Sequence, residues 1–275
     1  MQRTFDIDGF LAAALAEDIG EGDVTSLATI PAEATASFAM QSRQLLVLAG
    51  ATFLPSLFAL VSPAISVSLL AEDGQQLAAG QTIAQLSGPA RALLAGERTA
   101  LNLVQHLSGV ATLTRQYADA IAGTKAKLVD TRKTIPGLRF LQKYAVTCGG
   151  GHNHRMGLYD AVLIKDNHIA VAGGVTASIQ AARTYTALPV EVECDTLDQV
   201  REAAAAGADT ILLDNMTNAQ LREAVAIIDG RAMTEASGNV SLDTIRAIAE
   251  TGVDMISVGK LTHSAVAVDI GLDAR

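Results

Sequence analysis

The sequence predicts an α/β protein with two parts: a small N-terminal domain, and a second domain whose parallel strands form a barrel, closed or incomplete. Two observations carry this prediction. Short apolar runs alternate with amphipathic helical segments from Leu128 onward, as in repeated strand–helix units. Six successive apolar runs end in charged, polar or small residues, which is typical of strands whose C-terminal ends line one active site.

The first part, residues 1–107, lacks that alternation. It combines a predicted helix at 10–16, strands at 45–48 and 65–70, and a second helix at 90–107. Glycine, proline and serine separate these segments and mark turns. Together they predict a small domain of mixed helices and strands.

Composition places the chain among globular proteins and excludes several functions. It is 49% hydrophobic, and its net charge of −9 is wrong for a general nucleic-acid binder. The uncharged stretch between Arg43 and Glu72 is interrupted by Gly50, Pro55 and Pro63, so no membrane span is expected. Acidic residues near the N-terminus argue against a signal peptide, and two cysteines are too few for a disulfide framework. A cytoplasmic protein with reduced thiols is expected.

The second part contains six predicted strands separated by helical segments. The predicted strands are 128–130, 161–165, 190–193, 211–214, 233–235 and 255–258. Capping boxes predict helix starts at Thr196 and Thr217, and Gly207, Gly230 and Gly252 predict helix ends. An open doubly wound sheet would spread the strand ends along a line, whereas a barrel gathers them around one site. The barrel is therefore favoured.

The residues at the strand ends change in character along the chain, from basic to acidic to small. In order they are Arg132/Lys133, Lys165, Glu193, Asp214, Ser237/Gly238 and Gly259/Lys260. This order predicts one site with an anion-binding part, a part for hydroxyls or a metal, and a phosphate-binding part.

The segment from Lys125 to Lys165 holds eight lysines and arginines but only two aspartates, in a chain whose net charge is negative. Such a segment attracts anions, and arginine in particular binds planar carboxylates with two parallel hydrogen bonds. Arg132, Lys133 and Lys165 follow strands, where solvation alone explains little. A solvated helix face fits the other candidates equally well, namely Lys125, Lys127, Arg139 and Lys143.

Glu193 and Asp214 end neighbouring predicted strands. Paired carboxylates there can hold Mg²⁺ or accept hydrogen bonds from sugar hydroxyls. The alternative is a buried acidic pair neutralised by Lys165 or Arg132. Structural zinc is not expected, because the histidines lack partners at the usual spacings.

The last strand ends resemble the phosphate-binding loops of barrels. Ser237, Gly238 and Gly259 are small residues that let backbone N–H groups approach a phosphate. A helix predicted to start near Ser241 would add its N-terminus to that site.

Several ordered motifs make the chain similar to the quinolinate phosphoribosyltransferase family, over nearly its whole length. They are Asp130-Thr131-Arg132-Lys133-Thr134-x-Pro136-Gly137-Leu138-Arg139, Lys143-Tyr144-Ala145-Val146, Gly149-Gly150-Gly151-x-Asn153-His154-Arg155, Leu163-Ile164-Lys165-Asp166-Asn167-His168, Glu191-Val192-Glu193, Leu213-Asp214-Asn215, Glu235-Ala236-Ser237-Gly238, Ser257-Val258-Gly259-x-Leu261-Thr262-His263-Ser264, Glu17-Asp18-x-Gly20-x-Gly22-Asp23-Val24-Thr25 and Glu97-Arg98-x-Ala100-Leu101-Asn102. One departure is Lys260, which stands where a small residue is more usual.

The resemblance implies an N-terminal α/β sandwich domain, residues 1–107 joined by 265–275, and a catalytic open, incomplete α/β barrel with parallel strands, residues 108–264. It implies a homodimer in which the N-terminal domain of one subunit covers the barrel mouth of the other. The implied reaction transfers phosphoribosyl from 5-phosphoribosyl 1-pyrophosphate to quinolinate, with Mg²⁺ as cofactor. Decarboxylation then gives nicotinate mononucleotide, pyrophosphate and carbon dioxide.

The resemblance also implies roles for individual residues. The implied quinolinate-binding residues are Arg132, Lys133, His154, Arg155 and Lys165, with Arg98 from the partner subunit. Glu193 and Asp214 face the ribose hydroxyls and Mg²⁺, and together with Lys133 and Lys165 they form the expected catalytic set. The implied 5′-phosphate residues are Ser237, Gly238, Gly259 and His263, and Arg43 is expected to reach across the dimer.

Three rival functions fit parts of the sequence. Another phosphoribosyltransferase of the same fold would take a different acceptor, but it would lack the arginine set of Arg98, Arg132 and Arg155. A barrel aldolase would use Lys165 as a Schiff-base nucleophile, which borohydride trapping detects. A metabolite-binding regulator would need no catalytic metal, and a product assay distinguishes it.

Overall fold

The computed structural model describes residues 5–274. The strands are β1 Thr35–Ser42, β2 Leu46–Val47, β3 Ser66–Leu69, β4 Gln76–Leu77, β5 Thr82–Pro89, β6 Lys127–Val129, β7 Val162–Ile164, β8 Val190–Cys194, β9 Thr210–Asp214, β10 Met233–Ser237, β11 Met255–Ser257 and β12 Ile270–Ala274. The helices are α1 Ile7–Ile19, α2 Val24–Thr29, α3 Leu54–Val61, α4 Ala90–Ala120, α5 Arg139–Cys148, α6 Asp166–Ala172, α7 Val175–Tyr185, α8 Leu197–Ala206, α9 Asn218–Ile228, α10 Ile245–Ala249 and α11 Lys260–His263. Within the described residues, no helix has the length and apolar character needed to cross a bilayer.

The chain divides into two compact units. The first contains the residues up to Leu113, the segment Phe140–Gly150 and the residues from Ala265 onward, and the second contains Thr114–Arg139 and Gly151–Ser264. The first unit carries an antiparallel sheet in the order β12-β1-β5-β3 and a separate two-stranded ribbon of β2 and β4. The predicted mixture of helices and strands in the first half of the chain is confirmed.

Helix α4 is longer than predicted. The sequence predicted an end at Leu107, but the helix runs on to Ala120. Glycine usually weakens a helix interior. Gly109 is nevertheless required here, because a Cβ at this position would collide with the backbone carbonyl of Val266. The glycine therefore marks a close backbone approach within the first unit and not a helix end.

The second unit contains a six-stranded parallel sheet in the order β6-β11-β10-β9-β8-β7. Strands β7 to β11 are neighbours in chain order, and β6 joins at the far side of β11, so β6 and β7 are the two edges of the sheet. A single parallel bridge between Val129 and His152 continues beyond β6. The sheet is open and not closed, which confirms the predicted open, incomplete α/β barrel.

Local signals set most helix boundaries in this unit. Thr196 and Thr217 cap α8 and α9, each with the predicted capping box. Gly207 ends α8 in the left-handed conformation, as predicted. At the end of α9 the left-handed cap is Asp229, with a φ of 46°, and Gly230 follows it. The helix predicted near Ser241 begins only at Ile245, because residues 241–244 form a hydrogen-bonded turn first.

The strands of the sheet turn alternate residues to opposite faces. In β8, Val190 and Val192 are fully buried on the face that carries the helices, whereas Glu191 and Glu193 share the opposite face. In β10, Glu235 and Ser237 likewise share a face. The inner face of the open barrel therefore carries acidic groups at the strand ends and again one layer deeper.

Asp254, in the turn before β11, links three segments of the second unit. Its carboxylate accepts hydrogen bonds from the backbone N–H (2.9 Å) and hydroxyl (2.7 Å) of Thr234, and it pairs with Lys125 Nζ at 2.8 Å. Burial raises the pKa of Asp254, but Lys125 and Thr234 outweigh burial and lower it. The Lys125 side chain is 57% exposed and lies between α4 and β6, so it is solvated, as one interpretation had it, but it is not on a helix face.

Asp254→Ala is expected to lower the free energy of unfolding by about 2 kcal/mol, because charged hydrogen bonds to Thr234 are lost. Because the folded pKa is lowered, this contribution is complete above the pKa of an unfolded aspartate, about 3.9. It is lost as pH falls through the lower folded value. Urea unfolding at two pH values measures this, with Asp119→Ala, an exposed acid in a long ion pair on α4, as control. Equal losses of unfolding free energy in Asp254→Ala and Asp119→Ala would contradict the stabilising role assigned to Asp254.

Candidate active site

A cavity of about 420 Å³ lies at the C-terminal ends of the parallel strands in the second unit. All six strands of the sheet contribute to it, at or near their last residues. The lining residues are Asp130, Thr131, Arg132, Lys133, His154, Arg155, Leu163, Lys165, Glu193, Leu212, Asp214, Glu235, Ser237 and Ser257. Eight residues that the sequence singled out are thus brought together around one space.

The anion-binding part of the cavity is formed by Arg132, Lys133, Arg155 and Lys165. The Nε of Arg132 is buried, and it has no hydrogen-bond partner among the described residues. Burial lowers the pKa of Arg155, and the charge of Arg132 lowers it further, because the two guanidinium groups lie close together and repel each other. A negatively charged ligand would relieve both the repulsion and the unpaired donor.

Lys165 and Glu193 form an ion pair across the ends of β7 and β8. The Glu193 side chain is only 13% exposed. The alternative prediction was a buried acidic pair neutralised by Lys165 or Arg132, and the pairing of Glu193 with Lys165 agrees with that part of it. Asp214 accepts a hydrogen bond from Asn215 Nδ2 at 2.6 Å. Burial raises the pKa of Asp214, and the charges of Glu193 and Asp195 raise it further. These oxygen donors therefore form an electronegative group that is only partly neutralised by Lys165.

Sequence reasoning missed two acidic residues behind the cavity, Glu191 and Glu235. Both are buried, and both lie close to His154: its Nε2 is 2.9 Å from Glu191 Oε2 and 3.3 Å from Glu235 Oε2. Glu191 and Glu235 each precede a strand-end residue by two positions. That spacing, which places them on the same face as the strand-end residues, is the signal that could have found them.

His154 is held in one tautomer by its neighbours. The backbone N–H of Arg155 donates to His154 Nδ1 at 2.8 Å, which requires a lone pair on that atom. Burial lowers the pKa of His154, while hydrogen bonds to Glu191 and Glu235 raise it and keep the proton on Nε2. The contact at Nδ1 opposes a second proton and limits that rise. With its proton on Nε2, the ring has no lone pair there for a metal, although the three groups lie within 4.8 Å of one another.

The predicted phosphate-binding residues beyond Ser237 adjoin the cavity lining. Gly238 has a φ of 93° and packs against Asn215. The Lys133 and His263 side chains lie against the Cα of Gly259, where a Cβ would be 3.0 Å from Lys133 Cδ and 3.2 Å from His263 Nε2. The short helix α10 begins too late to contribute the N-terminus that was predicted near Ser241.

The remaining basic candidates have different surroundings. Arg43 and Arg98 belong to the first unit, where Arg43 pairs with Asp273 at 2.5 Å and Arg98 is exposed on α4. Arg139 donates from Nε to Thr134 Oγ1 at 3.0 Å within the second unit. Lys143 is fully buried, so a solvated helix face is the wrong interpretation for it.

Comparison with known proteins covers both units. The model of the quinolinate phosphoribosyl transferase C-terminal domain matches residues 110–273, and that of the N-terminal domain matches residues 23–108. The chain is 47% identical to the nicotinate-nucleotide pyrophosphorylase [carboxylating] of Mycobacterium leprae over 269 residues, 94% of each chain. It is 44% identical to the probable enzyme of that name from Bacillus subtilis over 259 residues, 94% of this chain and 89% of the relative.

Solved structures give the same result. The nicotinate-nucleotide pyrophosphorylase of Francisella tularensis superposes with a TM-score of 0.95 at 41% identity, over 98% of this chain and 96% of that one. The corresponding protein of Ehrlichia chaffeensis superposes with a TM-score of 0.94 at 40% identity, over 100% of both chains. The likeness therefore extends over the whole fold, including the strands that carry the cavity.

Proposed function

The chain belongs to the quinolinate phosphoribosyltransferase family, and from that premise we propose that it joins quinolinate to the phosphoribosyl group of 5-phosphoribosyl 1-pyrophosphate. The products are nicotinate mononucleotide, pyrophosphate and carbon dioxide, so the enzyme is a pentosyltransferase of NAD biosynthesis. The observation that carries the proposal is the unpaired, buried Nε of Arg132, in a cavity where three further cations surround it. A planar dicarboxylate suits that arrangement.

The quinolinate carboxylates are assigned to Arg132, Arg155, Lys133 and Lys165. Arginine supplies direction as well as charge, since its fork matches a carboxylate with two hydrogen bonds. His154 lines the same cavity and keeps the quinolinate-binding role that the resemblance implies. Both of its ring nitrogens are engaged by protein groups, so it also orients the backbone of Arg155 in this arrangement.

Glu193 and Asp214 are assigned to the ribose hydroxyls and to Mg²⁺. Their carboxylate oxygens are the ligand type that Mg²⁺ takes, and the repulsion that raises the pKa of Asp214 is a reason for a cation to bind there. When bound, Mg²⁺ would offset the negative charge that develops on the departing pyrophosphate. Ser237, Gly238, Gly259 and His263 are assigned to the 5′-phosphate.

The reaction needs positioning and charge more than proton transfer. The lone pair of the pyridine nitrogen forms the new bond to ribose C1 as the bond to pyrophosphate breaks, and its electrons leave with the pyrophosphate. The ring nitrogen then carries a positive charge, which stabilises the carbanion left when carbon dioxide departs from the adjacent carbon. A proton taken up at that carbon completes nicotinate mononucleotide. The four cations hold the acceptor in line for this attack.

The functional unit is proposed to be a homodimer in the cytoplasm. Arg98 and Arg43 would each reach the site of the partner subunit, as the family resemblance implies. One feature of the second unit supports association: a groove of about 890 Å³ beside edge strand β7. It carries exposed apolar side chains that include Leu158, Tyr159, Val171 and Tyr185, and exposed apolar patches often mark interfaces.

The direct test is incubation with quinolinate, phosphoribosyl pyrophosphate and Mg²⁺, followed by chromatography of the nucleotide and trapping of carbon dioxide. Formation of nicotinate mononucleotide and carbon dioxide in equal amounts is expected. Substitution of nicotinate for quinolinate should give no comparable turnover, because one carboxylate is missing. Preference for nicotinate, or the absence of both products, would overturn the proposal.

Arg132→Ala is expected to raise the KM for quinolinate by about 30- to 150-fold, as losing a charged hydrogen-bond partner costs about 2–3 kcal/mol. The KM for phosphoribosyl pyrophosphate should change much less. Steady-state kinetics in both substrates measures this. Arg201→Ala removes an exposed arginine of α8, 51% exposed, and serves as the charge-matched control. An unchanged KM for quinolinate in Arg132→Ala would exclude the assignment.

A further inference from the structure

Three residues with a left-handed backbone meet where β9 and β10 end. They are Asn215 with a φ of 53°, Gly238 with 93° and Asn239 with 52°. Within the described residues, only Asp229 is a further non-glycine residue with positive φ. Residues other than glycine rarely adopt this backbone conformation. Asparagine adopts it more readily than most, because its short side chain can hydrogen-bond to the nearby backbone. Two asparagines with positive φ at the ends of adjacent strands therefore need a specific structural explanation.

The side chain of Asn215 connects these two strand ends. Its Nδ2 donates to Asp214 Oδ2 at 2.6 Å, and its Oδ1 accepts from Asn239 Nδ2 at 3.1 Å. The amide orientation is fixed by chemistry, because an ionised carboxylate only accepts hydrogen bonds, so the group facing Asp214 must be the NH₂. The backbone N–H of Asn215 also donates to the carbonyl of Ser237 at 2.9 Å, which extends the β9–β10 pairing by one residue.

Gly238 completes the arrangement. A Cβ on Gly238 would collide with Asn215 Oδ1 and would lie 2.7 Å from its Cγ and 3.0 Å from its backbone nitrogen. The Asn215 side chain therefore rests on the bare backbone of the loop that follows β10. Ser237 and Asp214 are direct partners in the sheet register, so this loop and the Asp214 carboxylate are neighbours.

We propose that Asn215 is a positioning residue that fixes the Asp214 carboxylate against the loop Ser237–Asn239, so that the ribose end and the phosphate end of the phosphoribosyl donor are held as one unit. This inference rests on the proposed function, since it assigns Asp214 to the ribose and the loop to the 5′-phosphate. Asn215 acts through Asp214 and Asn239 and does not itself contact the donor.

A merely structural role fits the observations less well. Asn215 and Asn239 are both exposed, and hydrogen bonds between exposed side chains contribute little to folding stability, because water replaces them in the unfolded chain. Asp214, by contrast, gains a defined orientation from this amide next to Glu193, whose charge repels it. The inference thus predicts a loss of donor binding without a comparable loss of stability.

The test uses Asn215→Gly, which keeps the left-handed backbone and removes the amide. In calorimetry with Mg²⁺ and without quinolinate, binding of phosphoribosyl pyrophosphate is expected to weaken by about 10- to 100-fold, the usual effect of removing a residue that orients a metal-binding side chain. The KM for the donor should rise in parallel, and the KM for quinolinate should change by less than about twofold. Asp229→Gly, which relieves the same backbone conformation at the far end of α9, is the control and should match the wild type.

A second variant series separates action through Asp214 from a general disturbance. If Asn215 works through the Asp214 carboxylate, Asn215→Gly in an Asp214→Asn background should weaken donor binding by less than about threefold, because coupled residues are not additive. The same 10- to 100-fold loss in both backgrounds would overturn the inference. So would unchanged donor binding in Asn215→Gly, or a drop in its unfolding temperature that accounts for the weaker binding.

Failure of this inference is distinguishable from failure of the proposed function. A wild-type enzyme that forms nicotinate mononucleotide, together with an Asn215→Gly variant that binds the donor normally, would reject only the role of Asn215. A wild-type protein that neither binds phosphoribosyl pyrophosphate nor forms the product would reject the function itself.

Discussion

Asp214→Asn is expected to lower kcat by about 100- to 1000-fold, the usual effect of removing one group that stabilises charge in the transition state. The substitution preserves the shape of the side chain and removes its charge. Positive charge develops on the ribose as the bond to pyrophosphate loosens, and an amide stabilises it far less than a carboxylate. Affinity for Mg²⁺ should fall as well, since one of the two carboxylates proposed to bind it loses its charge.

Steady-state rates over a range of Mg²⁺ concentrations measure this effect. Asp198→Asn is a matched control, because Asp198 is an acid of α8 whose side chain is 95% exposed and which pairs with Arg201 on the surface. It should behave as the wild type. Full activity of Asp214→Asn at every Mg²⁺ concentration would rule out the role assigned to Asp214.

Mixing two inactive variants is expected to restore activity if the site is shared between subunits. Arg98→Ala and Lys165→Ala should each be nearly inactive alone. The first loses an arginine proposed to bind a carboxylate of quinolinate, and the second loses the cation that pairs with Glu193. In a mixed dimer one site regains both residues. Random exchange of equal amounts should therefore recover about one quarter of the wild-type activity, as symmetry requires.

The control for this experiment is a mixture of two variants altered in the same unit, Arg132→Ala and Lys165→Ala. No mixed dimer of these can contain an intact site if both residues come from one barrel. Recovery in the first mixture and not in the second supports a shared site. Equal outcomes in the two mixtures, with subunit exchange demonstrated by mass spectrometry, would contradict it.

Strand ends were the part of the site that the sequence predicted well. Lys165, Glu193, Asp214 and Ser237 each follow or end a short apolar run, and parallel strands bring such residues to one edge. The strand–helix alternation predicted parallel strands in a barrel or a doubly wound sheet, the strand-end residues favoured the barrel, and the family resemblance implied that it is open. These signals are local in sequence, and the parallel strands place the residues that carry them at one edge of the sheet.

What the sequence did not reveal depends on packing between distant segments. Glu191 and Glu235 appear as ordinary strand residues until β8 and β10 are known to face His154. The continuation of α4 past Gly109 depends on the approach of Val266, far along the chain. In the same way, the turn at residues 241–244 displaces a helix start that Ser241 alone would favour.

The order of strands in the open barrel has a consequence for how the chain acquires its site during synthesis. Strands β7 to β11 pair with their chain neighbours, so they can assemble as the polypeptide emerges. Strand β6 is made before all of them, yet its only partner strand in the described sheet is β11, the last of the six. Non-local pairings of this kind form slowly. Arg132 and Lys133, which follow β6, thus join the acidic strand ends only after most of the protein has been translated.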